Sequence, residues 1–345
     1  MYRLLLVALL ALFTAPAVAQ PAAFDGEELT MASGTKLRRA PLATVLQGNT
    51  AWRTIFDAAP FTIERSTCLP PEFDRCLLTL SDADGGGHSI LEIDAERGEP
   101  IPGGFTLGKG PNRVAWYDDR RIMLVGNSGP GTVTEAGEPR LVKLWTRGTD
   151  VVDATTILAT PPDTTDLTPI FDVSTGGLFH AAALTTPSGE RELYHFGWEQ
   201  NFIVSRLPSQ FTFQDFFQGR AIALLGATWA GIPAGGLASY PMAALMRPDR
   251  RTVPERAYVP PAGYGIIAAR GGRDRLFVHL RGAGGDRLID LRVGAPDWGE
   301  RRISVPGDGP MELLAVSKLA DTALVSRGEE LYAVGRGTAR KVRAP

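Results

Sequence analysis

The sequence predicts an all-β protein. The expected architecture is a β-propeller of seven blades, six clear repeats plus a divergent or partial first blade, with four antiparallel strands in each. Three observations carry that prediction. The 39 glycines and 26 prolines are scattered along all 345 residues, and the apolar runs between them are short. Beyond the first twenty residues few stretches keep a helical period, whereas many alternate as strands do. A hairpin grammar then recurs: an apolar strand, a turn rich in glycine, serine and charge, and a second alternating strand. It is clear in "RCLLTLSDADGGGHSILEID", "FHAAALTTPSGERELYHF", "RLFVHLRGAGGDRLIDLR" and "TALVSRGEELYAVG". Looser turns give two more copies, "RIMLVGNSGPGTVTEAGEPRLVKLW" and "RAIALLGATWAGIPAGGLASY". The leucines that open each second strand, Leu91, Leu141, Leu193, Leu237, Leu288 and Leu331, are separated by 50, 52, 44, 51 and 43 residues. A two-sheet sandwich, the competing architecture, has no need of a near-constant period.

In chain order, residues 1–19 read as a secretory signal peptide: Arg3, an apolar run, and the small-residue exit Ala17-Val18-Ala19. The run is too short to span a membrane comfortably. Residues 20–33 read as a short linker and 34–345 as the propeller. The segment "TKLRRAPLATVLQGNTAWRTIFD" has strand character and is the candidate for the divergent or partial first blade that would bring the count to seven. The runs "NFIVSRLP", "ERRISVP" and "ARKVRAP" follow hairpins and read as outer blade strands.

The net charge of −2, with both signs interspersed, argues against a nucleic-acid footprint or a polybasic membrane patch. The expected partners are therefore neither nucleic acid nor, after signal cleavage, a membrane. The two cysteines, Cys68 and Cys76, lie in "CLPPEFDRC". In an exported chain a disulfide is the leading reading, with buried free thiols as the alternative. They lack histidine partners at ligand spacing, so neither a metal nor a cofactor is expected.

A search for chemistry finds little. "GNSGPGTVTEAGEPR" opens like a nucleophile elbow, but Pro130 stands where the last glycine belongs and no helix pattern follows. Ser128 therefore reads as a turn residue in an enlarged hairpin loop, and no catalytic residue is assigned. His180, His195 and His279 fall inside strand patterns and His88 at a turn exit; packed or rim roles are expected. "DADGGGHSILEI" fails the calcium-loop pattern, and "ARGGRDR", Ala269 to Arg275, fails the phosphate-loop pattern. The pairs Arg38-Arg39, Arg250-Arg251 and Arg301-Arg302 read as solvated edges. Trp116, Trp145, Trp198, Trp229 and Trp298 recur within the blade pattern, as inter-blade packing or, alternatively, as a stacking platform at the channel mouth.

One stretch carries a family likeness. Gly104-Phe105 and Leu107 are followed by Arg113-Val114-Ala115-Trp116; after a glycine-rich loop come Gly137, Pro139 and Arg140, then Trp145 and Arg147-Gly148-Thr149. In order and spacing this resembles bacterial prolyl oligopeptidase homologues, and weaker echoes run from about Leu37 to the C-terminus. Glu138 departs from the pattern, standing where the relatives tend to carry an aromatic. The resemblance implies the family's N-terminal seven-bladed propeller, which sits over an α/β-hydrolase domain bearing a Ser-Asp-His triad and restricts entry to short peptides.

The hydrolase pattern is not found before Pro345. The expected function is therefore an exported, non-catalytic propeller that binds peptide or protein. Two alternatives stand beside it: a gating subunit of a split serine peptidase, whose hydrolase is a separate chain, and a truncated remnant of a longer gene.

Overall fold

The computed structural model describes residues 22–173, 179–196, 202–204, 207, 210–245, 253–293, 298–335 and 337–345. The expected signal peptide, Trp198 and the Arg250-Arg251 pair lie outside them. Seven antiparallel sheets succeed one another along the chain. Blade 1 is β1 (Ala22–Asp25), β2 (Glu28–Ser33), β3 (Lys36–Pro41) and β4 (Arg53–Asp57), with the short helix α1 (Leu42–Leu46) before β4. Blade 2 is β5 (Thr62–Cys68), β6 (Arg75–Ser81), β7 (His88–Asp94), β8 (Glu99–Pro100) and β9 (Thr106–Gly110), the last two sharing β7 as partner. Blade 3 is β10 (Arg113–Trp116), β11 (Arg121–Val125), β12 (Leu141–Thr146) and β13 (Thr155–Ala159). Blade 4 is β14 (Thr165–Asp172), β15 (Phe179–Thr185), β16 (Arg191–Phe196) and β17 (Phe202–Val204). Blade 5 is β18 (Phe211–Phe217), β19 (Arg220–Leu225), β20 (Leu237–Pro241) and β21 (Glu255–Tyr258), with α2 (Met242–Leu245) after β20. Blade 6 is β22 (Tyr264–Gly271), β23 (Leu276–Gly282), β24 (Gly285–Arg292) and β25 (Gly299–Ile303). Blade 7 is β26 (Met311–Val316), β27 (Thr322–Arg327), β28 (Glu330–Gly335) and β29 (Thr338–Val342).

The six anchor leucines all fall on the third strand of a blade, from β7 to β28. Leu193, Leu237 and Leu288 are fully buried and Leu331 nearly so. A strand in the middle of a blade packs on both faces, which is why this position holds a large apolar residue in every repeat. The expected outer strands are β17, β25 and β29.

Of the stretch 20–33, expected as a linker, residues 22–33 instead form β1 and β2, the first half of blade 1. Two features hid it. The turn between the strands is only Gly26-Glu27, with Gly26 at φ +62°, and the run "AAFDGEELTMAS" carries few large apolar residues. Leu29, from this stretch, is nevertheless fully buried.

The core is divided rather than central. Seven apolar clusters each sit at one blade junction. Blades thus bury their faces against neighbours, as stacked units do. The ring closes between blades 7 and 1 without a shared strand. Its seam is the packing of Leu29, Ala40 and Val45 on Leu314, Leu324, Leu331 and Val342, helped by Trp52 Nε1 donating to Arg343 O at 2.7 Å. First strands touch first strands of neighbouring blades, as between β10 and β14, β18 and β22, and β26 and β1, so they line the central channel.

Candidate binding channel

The residues that carry the family likeness converge, but on a closed joint between blades 2 and 3. Phe105 is buried with its ring 6.3 Å from Trp116 and 5.1 Å from Trp145, both edge-on. Trp116 Nε1 donates to Thr67 O (2.8 Å) and Trp145 Nε1 to Thr149 O (3.0 Å), so neither indole leaves its N–H unpaired. Arg147 lies over the Phe105 ring at 4.9 Å and grips Glu92 with two bonds, 2.8 and 2.5 Å. Glu92, whose side chain is fully buried, also accepts the Phe105 backbone N–H at 2.9 Å. Gly104 leaves no room for a side chain: a Cβ there would stand 2.9 Å from Ile101 O and 3.0 Å from Glu92 Oε2. Gly148, at φ +76°, makes the turn that brings Arg147 round.

The rest of that set is structural as well. Arg113 donates to Leu167 O (3.1 Å) and Arg140 to Thr160 O (3.2 Å), each tying blade 3 to the chain that enters blade 4. Gly137 turns the long β11–β12 loop at φ +83°, and Pro139 bridges to Val133. Ser128 lies in the same loop, buried. Its backbone N–H donates to Thr132 Oγ1 (3.1 Å), and its own hydroxyl has no hydrogen-bond partner among the described residues.

Cys68 and Cys76 form a disulfide across the β5–β6 hairpin, where they are directly opposed. Above it sits Arg39, and here the expectation of a solvated edge is wrong. Arg39 is buried, with Nη2 on Phe73 O (2.8 Å) and Cys68 Sγ (3.3 Å), Nε on Thr30 (3.0 Å), and carboxylates of Asp25 and Glu28 at 3.5 and 3.2 Å. Arg301 likewise pairs with the fully buried Asp290, which Arg275 also engages. Buried carboxylates explain both arginines. Asp82 pairs with Lys109 at 2.8 Å.

Trp298 is buried, and Trp229 packs at the edge of the blade 4–5 cluster, 6.0 Å from the Tyr240 ring. His180 is stacked on Tyr117 at 4.1 Å and donates to its carbonyl; His279 lies 2.9 Å from Asp286 Oδ1. Burial holds both imidazoles below the ordinary histidine pKa. His195 sits on β16 opposite Ala181, and His88 opens β7.

The channel wall supplies the groups that sequence reasoning missed. Five of the seven first strands, β5, β14, β18, β22 and β26, carry a register shift. Such bulges re-aim side chains. Lys318, just beyond β26, reaches Asp172 on β14 (3.1 Å), Asp215 on β18 (2.8 Å) and Phe216 O (2.8 Å). One ammonium thus ties blade 7 to blades 4 and 5 at one end of the channel. Burial alone would lower its pKa, but the Asp215 and Asp172 carboxylates overrule that and hold it above the usual lysine value.

Two arginines contrast with it. Arg65 on β5 is exposed, yet lies among the walls of blades 2, 3 and 4, beside Thr67, Val114, Thr168, Ile170 and Phe171, around a hollow of about 100 Å³. Arg270 on β22 is half-buried and donates Nη1 to Gln214 O (2.7 Å) and Ala269 O (3.2 Å). Among the described residues neither has a carboxylate within ion-pair distance. The surrounding protein, and then the charge of Arg270, depress the Arg65 pKa. Arg65 nevertheless remains a cation at neutral pH.

This ring of seven sheets is a seven-bladed β-propeller, and its fold fits the N-terminal propeller domain of prolyl oligopeptidases. Among solved structures it is similar to a post-proline cleaving enzyme from Rickettsia typhi, with TM-score 0.78, 15% identity, and coverage of 92% of this chain and 52% of that one. It is similar to oligopeptidase B from Leishmania major, with TM-score 0.67, 11% identity, and coverage of 94% and 48%. It is also similar to the β-propeller domain of the Trilobed protease from Pyrococcus furiosus, with TM-score 0.57, 12% identity and 94% coverage of each. A curated relative, uncharacterized peptidase y4nA of Sinorhizobium fredii, is 23% identical over 313 residues, 84% of this chain and 42% of the relative. The chain therefore spans about half the length of the full peptidases it matches. No family model matches it.

Proposed function

We propose that this propeller is the peptide-binding part of a peptidase-type assembly, holding peptide in its central channel and breaking no bond itself. The observation that carries this reading is the channel wall, where Arg65 and Arg270 have no carboxylate partner among the described residues and stand beside half-buried apolar residues. Proteins of similar fold that are named for cleaving peptides support it. Export is part of the proposal, supported by the sequence of residues 1–19 and by the buried disulfide.

The test is direct. The purified chain is titrated with labelled proline-containing peptides by fluorescence anisotropy, and the same mixtures are followed by mass spectrometry. Binding without cleavage is expected. Cleavage that disappears when one residue of this chain is substituted overturns the reading. Export predicts a mature protein beginning at Gln20 in the periplasmic fraction; full-length protein confined to the cytosol overturns that part.

A second reading, a gating propeller that works with a hydrolase on a separate chain, has its own observation. Val152, Val253 and Leu319 are among the most exposed large apolar residues, and all three lie in connections between strands at one end of the ring. A V152D/L319D pair that abolishes co-purification of a hydrolase chain supports this reading. Unchanged co-purification, or none with the parent chain, counts against it.

A further inference from the structure

We propose that the channel is a carboxylate site, and that Arg65 and Arg270 receive the C-terminal carboxylate of a bound peptide with an apolar last residue. The proposal rests on the peptide-binding reading and names the end of the peptide that is held.

The placement is specific. Arg65 belongs to blade 2 and Arg270 to blade 6, which are separated by blades 7 and 1, so the two approach the lumen from nearly opposite walls. Each lies at or beyond a register shift, between Ile63 and Arg65 on β5 and between Ile266 and Ala268 on β22. Two like charges facing one lumen repel each other, and an anion between them relieves that repulsion.

The acids of the neighbouring walls do not fill this role. Asp172 and Asp215 engage Lys318, and Asp215 also accepts Gly271 N–H at 2.7 Å. Glu64 accepts the Ser81 hydroxyl. Asp166 and Glu312 sit at the opposite ends of their strands, near the starts of β14 and β26. Arg270 spends Nη1 on two carbonyls, which fixes the guanidinium, while Nε and Nη2 have no protein acceptor among the described residues. A planar guanidinium with free donors matches a carboxylate.

The hollow beside Arg65 supplies the rest of the recognition. Val114, Ile170 and Phe171 offer an apolar wall and Thr67 and Thr168 offer hydroxyls. A volume of about 100 Å³ accommodates one small apolar side chain beside a carboxylate. Inorganic anions need the two arginines but not that wall.

The experiment uses the full chain and three labelled peptides that share one sequence ending in valine: the free acid, the C-terminal amide, and the amide with an internal glutamate. Isothermal titration at low and moderate salt reads the affinities, with inorganic phosphate as competitor. The free acid is expected to bind at least tenfold more tightly than either amide, and to weaken as salt rises. R65Q and R270Q are each expected to remove at least tenfold of that preference with the melting temperature unchanged, and R65K to restore part of it. Equal binding of acid and amide, with R65Q silent, overturns the carboxylate site and leaves the peptide-binding reading standing. Equal gain from the internal glutamate overturns the assignment to the terminus. Phosphate that displaces the free acid at its own equal affinity shows a site for free anions and overturns the peptide claim. Absence of binding by all three peptides overturns both readings.

Discussion

Replacing Arg147 by methionine removes the only side-chain cation that meets Glu92 among the described residues, and the consequence is calculable. The Glu92 carboxylate is fully buried and keeps a single remaining bond, from the Phe105 N–H. Breaking a buried pair by deleting one partner costs about 3–5 kcal/mol, because an uncompensated charge stays behind. For a folded ring of roughly 320 residues, unfolding entropy scales to about 0.7 kcal/mol per degree, so the expected fall in melting temperature is about 4–7 °C. Trp116 and Trp145 flank the site, so intrinsic fluorescence reports on this joint and circular dichroism on the whole ring. The double variant E92Q/R147M is expected to recover at least half of the loss, since a neutral amide is far cheaper to bury than a charge. A loss below about 1 kcal/mol for R147M, or a double variant no better than the single, refutes the claim that the guanidinium compensates Glu92.

Other expectations follow from the same geometry. Lys318→Met leaves Asp172 and Asp215 without their shared cation and is expected to cost about 3–5 kcal/mol at neutral pH. The loss should shrink on acidification as a carboxylate protonates, and urea titrations at two pH values check it. His180 and His279 have depressed pKa values in the fold, so the unfolded chain takes up protons first as pH falls. Their contribution is present above the unfolded value of about 6.5 and is lost as pH drops from there toward the folded values. An H180Q/H279Q variant should therefore show a flatter melting-temperature profile between about pH 7.5 and 5.5, and an unchanged slope rules the two imidazoles out. Reducing the Cys68–Cys76 bond, which closes a separation of eight residues, should cost about 2.5 kcal/mol in the chain-entropy model. Gly104→Ala forces a Cβ to within 3.0 Å of Ile101 O and Glu92, and should cost about 1–3 kcal/mol, seen as a lower denaturant midpoint.

The repeat was legible because each blade spends the same residue on the same task. A leucine that opens the third strand is visible at Leu193, Leu237 and Leu288 without knowing what it packs on. Blade 1 breaks the pattern less than it seems: Leu37, fully buried on β3, is its counterpart, but the strands before it are short and carry small residues. Phe105, Trp116, Trp145 and Arg147 were legible as a set through family likeness alone. Their partner Glu92 was not, since it lies 55 residues from Arg147 and the pair exists only after blades 2 and 3 meet. Arg39 looked like any charged edge because burial cannot be read from a dipeptide; its neighbours Asp25 and Glu28 flank the β1–β2 turn, and Phe73 lies in the β5–β6 loop. Arg65 and Arg270 were invisible for a related reason. A charged residue on a strand reads as solvated until the strand is known to be the first of its blade.

The seam between blades 7 and 1 shows why the ring needs no exchanged strand. Every other blade joins its neighbour through a connection of a few residues, whereas this contact brings together segments nearly 300 residues apart in sequence. Loop-closure entropy grows only with the logarithm of length. Going from a blade of about 50 residues to the whole circuit adds about 1.5 kcal/mol. Burying one leucine from Leu29, Leu324 or Leu331 contributes about 1.5–3 kcal/mol. A handful of aliphatic side chains therefore outweighs the entropic handicap of the last joint. Closure is the joint that draws on the most distant sequence, while each blade folds from strands that are already neighbours along the chain.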